Sequence, residues 1–547
     1  MITNPILRGF NPDPSIIRVG EDYYIATSTF EWFPGVQIYH SRDLKHWRLL
    51  TRPLDRVSQL DLRGVGASQG IWAPCLTYDK GTYYLVYTVV TAFYCNMYDT
   101  HNYIVTAPDI MGPWSEPDEL PGFGFDPSLV HDDDGRKYMV CMVTDHRVPK
   151  KYAGRLIVQE YDHENQCMVG DFHEVYQAKD IFLEGPHIFK KDGWYYLFCA
   201  DTGTGELHGQ TMLRSRHIFG PYEMNRPDFG NRTLPNEAYS LLTSRPVPEH
   251  PIQKAGHCDL VETQNGDWYI VHLCGRPLDR CNPPDAPRFA GARRYMLGRE
   301  TAIQRVYWTE DGWLRLLNGS NTPDETLPEA NLPPQPWPPI SPRDDFDAPA
   351  LDSRWQTLRM PLTEKDFSLS ARPGYLRLYG GNGLGSRFTQ SLIAQRITEH
   401  SGLIETYVEF EPAYYKQMAG LILWYDNDNY IYLHITRDEE LGKVVTLLRA
   451  ENKQYSYPCG YIPVPENQPI RLRIEMRNGY VTFAWAADQT WHTLAQDLDA
   501  SFLSDEACTE GWFTGTMCGI CCQDLTGSRM PADFDYMTYE AKTPLTK

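Results

Sequence analysis

Residues 13–25 read DPSIIRVGEDYYI, and the same phrase returns at 73–85 (APCLTYDKGTYYL), 126–140 (DPSLVHDDDGRKYMV), 185–197 (GPHIFKKDGWYYL) and 257–270 (HCDLVETQNGDWYI). Each copy joins a short apolar strand to an aromatic one through a polar turn rich in Asp and Gly, the pattern of a β-hairpin. The aromatic markers Tyr23, Tyr83, Tyr138, Tyr195 and Trp268 are 60, 55, 57 and 73 residues apart, enough chain for about four strands per repeat. Repeats of this length made of short strands predict a five-bladed β-propeller around a central channel. SRDLKHW, APDIMGPW and SRHIFGPY follow three of the hairpins and read as outer-strand turns.

The pattern changes near residue 323, where eight prolines fall between Pro323 and Pro342. That density stiffens a chain into an extended connector. Beyond it YLRLYG, LIETYVEF, AGLILWYD, NYIYLHIT, VVTLLRA, IRLRIEM and YVTFAWA have strand length and are separated by Asn, Asp and Gly. The expected organisation is all-β: a propeller over 1–322, a linker over 323–342 and a β-sandwich of jelly-roll, lectin-like type over 343–547.

The formal charge of −20 argues against nucleic acid or an anionic membrane as partner. A neutral ligand fits better, and 13% aromatic content, with 35 Tyr and 14 Trp, suits both sheet packing and flat, half-polar sugar rings. No basic segment followed by an apolar stretch opens the chain and no run reaches membrane-span length, so a soluble cytoplasmic protein is expected. Thirteen scattered Cys fit reduced thiols, and Cys518-Gly-Ile-Cys521 reads as buried strand rather than half of a zinc site.

Aligned on their Pro-x-Ile/Leu element, the repeats place Asp13, Ala73, Asp126, Gly185 and His257 in one slot, with Trp72 and Glu184 one residue ahead of it. If the first strand of each blade is innermost, these positions gather at the mouth of the channel. Pro12 and Pro14 predict an extended backbone at Asp13. Clustering three carboxylates costs free energy through repulsion and desolvation, so function or a bound cation is the better account. A protonated carboxyl and an ionised one across an aromatic pocket are what glycosidic cleavage needs, and a third carboxylate raises the proton affinity of the acid. His257 with these carboxylates is also compatible with a divalent cation in the channel, although no cofactor is required.

GFNPDPSI, TSTFEWFPGVQI, GIWAP, FDPSL, EGPH, GHCDLVETQNG, LGRETAI, WFTG and PADFDY resemble the β-xylosidases of glycoside hydrolase family 43 along almost the whole chain. The resemblance implies inversion at the anomeric carbon and release of xylose from the non-reducing end of short β-1,4-xylo-oligosaccharides. It implies Asp13 as general base, Glu184 as general acid and Asp126 as the residue that tunes and orients the acid. Phe30 and Trp72 would pack on the sugar, with Ala73 beside them. Arg299 and His257 would hold its polar side, and Phe513 would close the pocket from the second domain. An α-L-arabinofuranosidase and a non-catalytic sugar-binding propeller are the alternative readings, and the chain is expected to assemble with copies of itself.

Overall fold

The computed structural model describes residues 1–93, 97–147, 154–178, 181–225, 240–286 and 288–542. Every regular element among them is a β-strand. Five antiparallel four-stranded blades follow one another along the chain, each running outward in sequence order. Their first strands are Ser15–Val19, Gly70–Asp79, Ser128–His131, Leu183–Lys191 and Gln253–Glu262. Each of these packs on the first strand of the next blade, and the fifth packs on the first, which closes the ring. In blade four Leu242–Thr243 adds a further pairing to Gly209–Ser215.

Closure is reinforced from the N-terminus: Ile2–Thr3 pairs with Thr326–Leu327, and the Asn4 amide donates to the carbonyls of Ile303 (2.8 Å) and Asp324 (2.9 Å). The first strands are interrupted where the repeats align. Register shifts separate Trp72 from Cys75, Glu184 from His187 and Gly256 from Asp259, so the slot residue and its successor bulge out of the ladder. A bulge is where proline costs least, because the missing N–H had no ladder partner. Neighbouring blades supply hydrogen bonds around these interruptions. Ile16 N donates to Asp259 (2.7 Å), Leu76 N to Ser15 Oγ (3.1 Å) and Cys258 N to Gln210 (2.8 Å).

All five slot residues lie at positive φ: Asp13 54°, Ala73 30°, Asp126 55°, Gly185 56° and His257 53°. The extended backbone expected at Asp13 is therefore not what forms. Its flanking prolines accommodate the inward turn that every blade makes there. Asp, His and Gly are among the residues that tolerate this region best, and Ala73 is the exception.

The C-terminal strands form two packed sheets. In the outer one Ser401–Glu409 alternates between buried and half-buried positions, as expected for a sheet with one face on the core. In the inner one Gln417–Asp426 is buried at nearly every position because the propeller covers its second face. Ile422, Trp424 and Tyr432 pack there in one cluster with Phe10, Phe30 and Trp72. The edge of that sheet is completed by Trp32–Phe33, which follows Phe30 in blade one and pairs with Gln356–Leu358. The Pro-rich segment runs along blade one: Trp337 donates to the His46 carbonyl (3.1 Å) and carries the Arg48 guanidinium 4.0 Å from its ring centre. Cys518 and Cys521 are buried, and neither belongs to a disulfide.

Candidate active site

The inward turns deliver their side chains to one pocket at the channel mouth. It is lined by Asp13, Phe30, Trp72, Phe125, Asp126, Glu184, Thr204, His257, Arg299 and Phe513. Ala73 is buried but is not part of the wall, since its methyl group is too short to follow Trp72 into the opening.

Asp13 is fixed from two sides. Ser28 Oγ donates to Oδ2 (2.7 Å) and Arg299 Nη1 to Oδ1 (3.0 Å). Arg299 also donates from Nη2 to the Phe513 carbonyl (2.9 Å), so one buried guanidinium joins the carboxylate to the second domain. His257 Nδ1 stands 3.7 Å from Asp13 Oδ1, and burial pulls the imidazole down to about 4, which leaves it neutral at ordinary pH. Its ring fills the space beside Gly185: a Cβ there would come within 2.8 Å of Nε2, so both the turn and the close approach require glycine.

Asp126 Oδ2 accepts from the Gly185 amide (2.9 Å) and thereby fixes the strand that carries Glu184. Glu184 itself is buried, and its Oε1 has no hydrogen-bond partner. Burial, then the charge of Asp13, push Glu184 up to about 7 against the opposing pull of Arg299. Asp126 is raised by burial first and then by Glu184 and Asp13. The leading like charge on Glu184 is thus that of Asp13, while the direct hold of Asp126 on its neighbourhood is through the Gly185 amide. Among the described residues no group of three or more His, Cys, Asp or Glu is arranged to hold a metal ion.

The aromatic wall is cross-braced. Trp72 meets Phe125 and Phe513 edge-on, each at 5.3 Å between ring centres, and Phe30 lies 6.2 Å from Phe513. Ser68 ties the domains at this point: its carbonyl accepts from Trp72 Nε1 (3.0 Å) and its hydroxyl from Phe513 N (3.0 Å). At Gly298 a Cβ would lie 2.4 Å from the Thr514 carbonyl oxygen, so the approach of the sandwich loop to Arg299 needs a bare backbone.

A hydrogen-bonded carboxylate facing a buried carboxyl with raised proton affinity, inside an aromatic wall, can carry out general acid–base chemistry on an acetal. The family model described as glycosyl hydrolases family 43 matches residues 2–314, and that of the β-xylosidase C-terminal concanavalin A-like domain matches 343–540. The chain belongs to glycoside hydrolase family 43. Within it, a β-xylosidase of Bacillus subtilis is 42% identical over 99% of this chain and 100% of its own length. A xylosidase/arabinosidase of Humicola insolens is 42% identical over 98% of this chain and 97% of its own. The crystal structure of a xylan β-1,4-xylosidase from Bacillus halodurans superposes with a TM-score of 0.93 at 46% identity, covering 99% of this chain and 100% of that one. As a family 43 member the chain is a glycoside hydrolase.

Four contributors to the site were not singled out from sequence. Phe125 obeys the rule that found Trp72 and Glu184, lying one residue ahead of the slot, and that rule could have found it. Ser28, Ser68 and Thr204 lie in connecting segments outside the repeated phrase and carry no such signal.

Proposed function

We propose that this family 43 hydrolase is an inverting, exo-acting β-xylosidase releasing xylose from the non-reducing end of short β-1,4-xylo-oligosaccharides. Asp13 takes a proton from water as it attacks the anomeric carbon, and Glu184 gives its proton to the departing glycosidic oxygen. Asp126 keeps Glu184 in place through the Gly185 amide. The observation that carries this reading is the contrast between Asp13, hydrogen-bonded by Ser28 and Arg299, and Glu184, whose Oε1 is buried without a partner and whose proton affinity is raised. The two come from blades one and four, which are not neighbours in the ring. That favours the wider carboxyl spacing of roughly 6.5–9.5 Å that admits a water, over the roughly 5–5.5 Å of a covalent mechanism. The aromatic walls around the pocket suit one terminal sugar, and the sugar-binding aromatics would be Phe30, Trp72 and Phe513.

Proton NMR during the first minutes of xylobiose hydrolysis tests the mechanism: α-xylose should appear before mutarotation, and initial β-xylose would refute it. The second reading, α-L-arabinofuranosidase activity, is favoured by the full-length similarity to a xylosidase/arabinosidase. Initial rates on aryl β-xyloside and aryl α-L-arabinofuranoside, measured side by side, rank the two.

A further inference from the structure

A second cavity of about 440 Å³ opens between blade one, the Pro-rich segment and the sandwich. Arg8, Arg48, Arg52, Arg354 and Arg396 line it, against the single carboxylate of Asp352. Such an excess of guanidinium is unexpected in a chain of net charge −20. Three of the five are accounted for: Arg8 pairs with Glu399, Arg354 Nε donates to Asp352 (3.0 Å), and Arg48 lies over Trp337.

Arg52 and Arg396 are different. Arg52 donates to neutral oxygens only, the carbonyls of Ser353 and Trp355 and the Gln37 side chain, and its Nε has no partner. Arg396 is 9% exposed; it donates to the Phe10 carbonyl and the Gln356 amide oxygen, and its Nη2 has no partner. Each guanidinium has its proton affinity lowered by burial, and the charge of Arg396 adds to the effect on Arg52. The one nearby carboxylate, Asp352, acts on Arg52 but is already held by Arg354, so positive charge remains in excess, and two like charges beside one cavity are strongly unfavourable. Five guanidinium side chains lining one cavity against a single carboxylate give it an excess of positive charge that matches an oxyanion, which guanidinium groups bind through short, charge-assisted hydrogen bonds.

We propose that this interdomain cavity is a binding site for a small oxyanion, a phosphate or a carboxylate, held between Arg52 and Arg396. The site is separate from the sugar pocket but continuous with its support, because Arg396 holds the Phe10 carbonyl and the Phe10 ring packs 5.6 Å from that of Phe30. An occupant would clamp blade one to the sandwich behind the pocket wall.

Calorimetric titration of the full chain at constant ionic strength, with inorganic phosphate in one arm and succinate in the other, tests the proposal and separates the two anion classes. Saturable binding of at least one is expected, weakened at least ~tenfold in both Arg52→Met and Arg396→Met, the order expected for loss of one charge-assisted contact. If Arg396→Met does not fold, the wild-type titration and Arg52→Met decide. Absence of saturable binding in both arms would overturn the proposal. So would an affinity unchanged by the substitutions, which would locate the anion elsewhere, at Arg299 for example.

Discussion

Two clusters of buried ionisable groups stand close together at the domain boundary, and they are built on opposite principles. In one, Lys254 Nζ donates to Glu506 (2.5 Å) and lies 3.5 Å from Asp505. Tyr425 OH completes Asp505 (2.7 Å) and the Tyr295 amide completes Glu506 (3.0 Å). In the other, Arg299 pairs with Asp13, Asp126 accepts from the Gly185 amide, and Glu184 Oε1 is left without a partner. The first cluster satisfies its polar atoms internally and joins two domains. The second leaves one carboxyl oxygen unfilled. Burial of charge alone therefore does not mark an active site; at this pocket it is accompanied by a buried carboxyl oxygen with an unfilled hydrogen-bonding position.

The contrast is broken most directly by removing the acid or the base. Asp13→Ala and Glu184→Ala should each lower turnover on xylobiose by ~10²–10⁴. On an aryl xyloside with a good leaving group Glu184→Ala should recover most of its loss and Asp13→Ala should not. Equal recovery would erase the distinction between the two carboxylates.

Lys254→Met attacks the satisfied cluster and should cost about 3–5 kcal/mol in denaturant unfolding, because it strands two buried carboxylates. A loss below ~1 kcal/mol would mean that the cluster is not the structural counterpart described here.

Glu184→Gln addresses stability at the unsatisfied cluster. A folded-state value near 7, against about 4.3 in the unfolded chain, means that the native state binds the proton more tightly. Wild-type stability from this group is therefore retained at low pH and lost as pH rises from about 4 to about 7. The variant should gain roughly 3–4 kcal/mol over wild type above pH ~7, with the gain vanishing near pH ~4. A gain that did not change with pH would contradict the origin given for the shift. The smallest effect is expected at the wall: Phe513→Ala should reduce kcat/KM about tenfold, equivalent to ~1.4 kcal/mol of lost contact with the sugar and with Trp72. Unchanged kinetics in the folded variant would confine Phe513 to packing.

The site was legible where the fold repeats itself. One alignment of five phrases brought Asp13, Asp126, Glu184 and His257 to one axis, because a propeller converts sequence period into angular position. Backbone conformation was not legible at Asp13, since flanking prolines argue locally for an extended chain while ring geometry imposes φ of 54°. Nor was the pairing of Trp32–Phe33 with Gln356–Leu358, whose partners lie more than 300 residues apart and follow no shared period. The strand segments of the sandwich could be read from their hydrophobic pattern. The extra burial of Gln417–Asp426 needed knowledge of what covers it.

That long-range pairing bears on how the protein is made. Blade one is translated early, yet the edge strand that follows Phe30 has no partner until Gln356–Leu358 is made, and Arg299 has no Phe513 carbonyl to hold until the far end of the chain has left the ribosome. At ~5–20 residues per second the interval between residues 33 and 513 is roughly half a minute to a minute and a half. Throughout it the nascent propeller exposes Phe10, Phe30, Trp32 and Trp72, a surface that a chaperone would recognise. The sugar pocket is therefore among the last parts of the molecule to be finished, and a chain that ends short of Phe513 lacks both that wall of the pocket and the carbonyl that Arg299 holds.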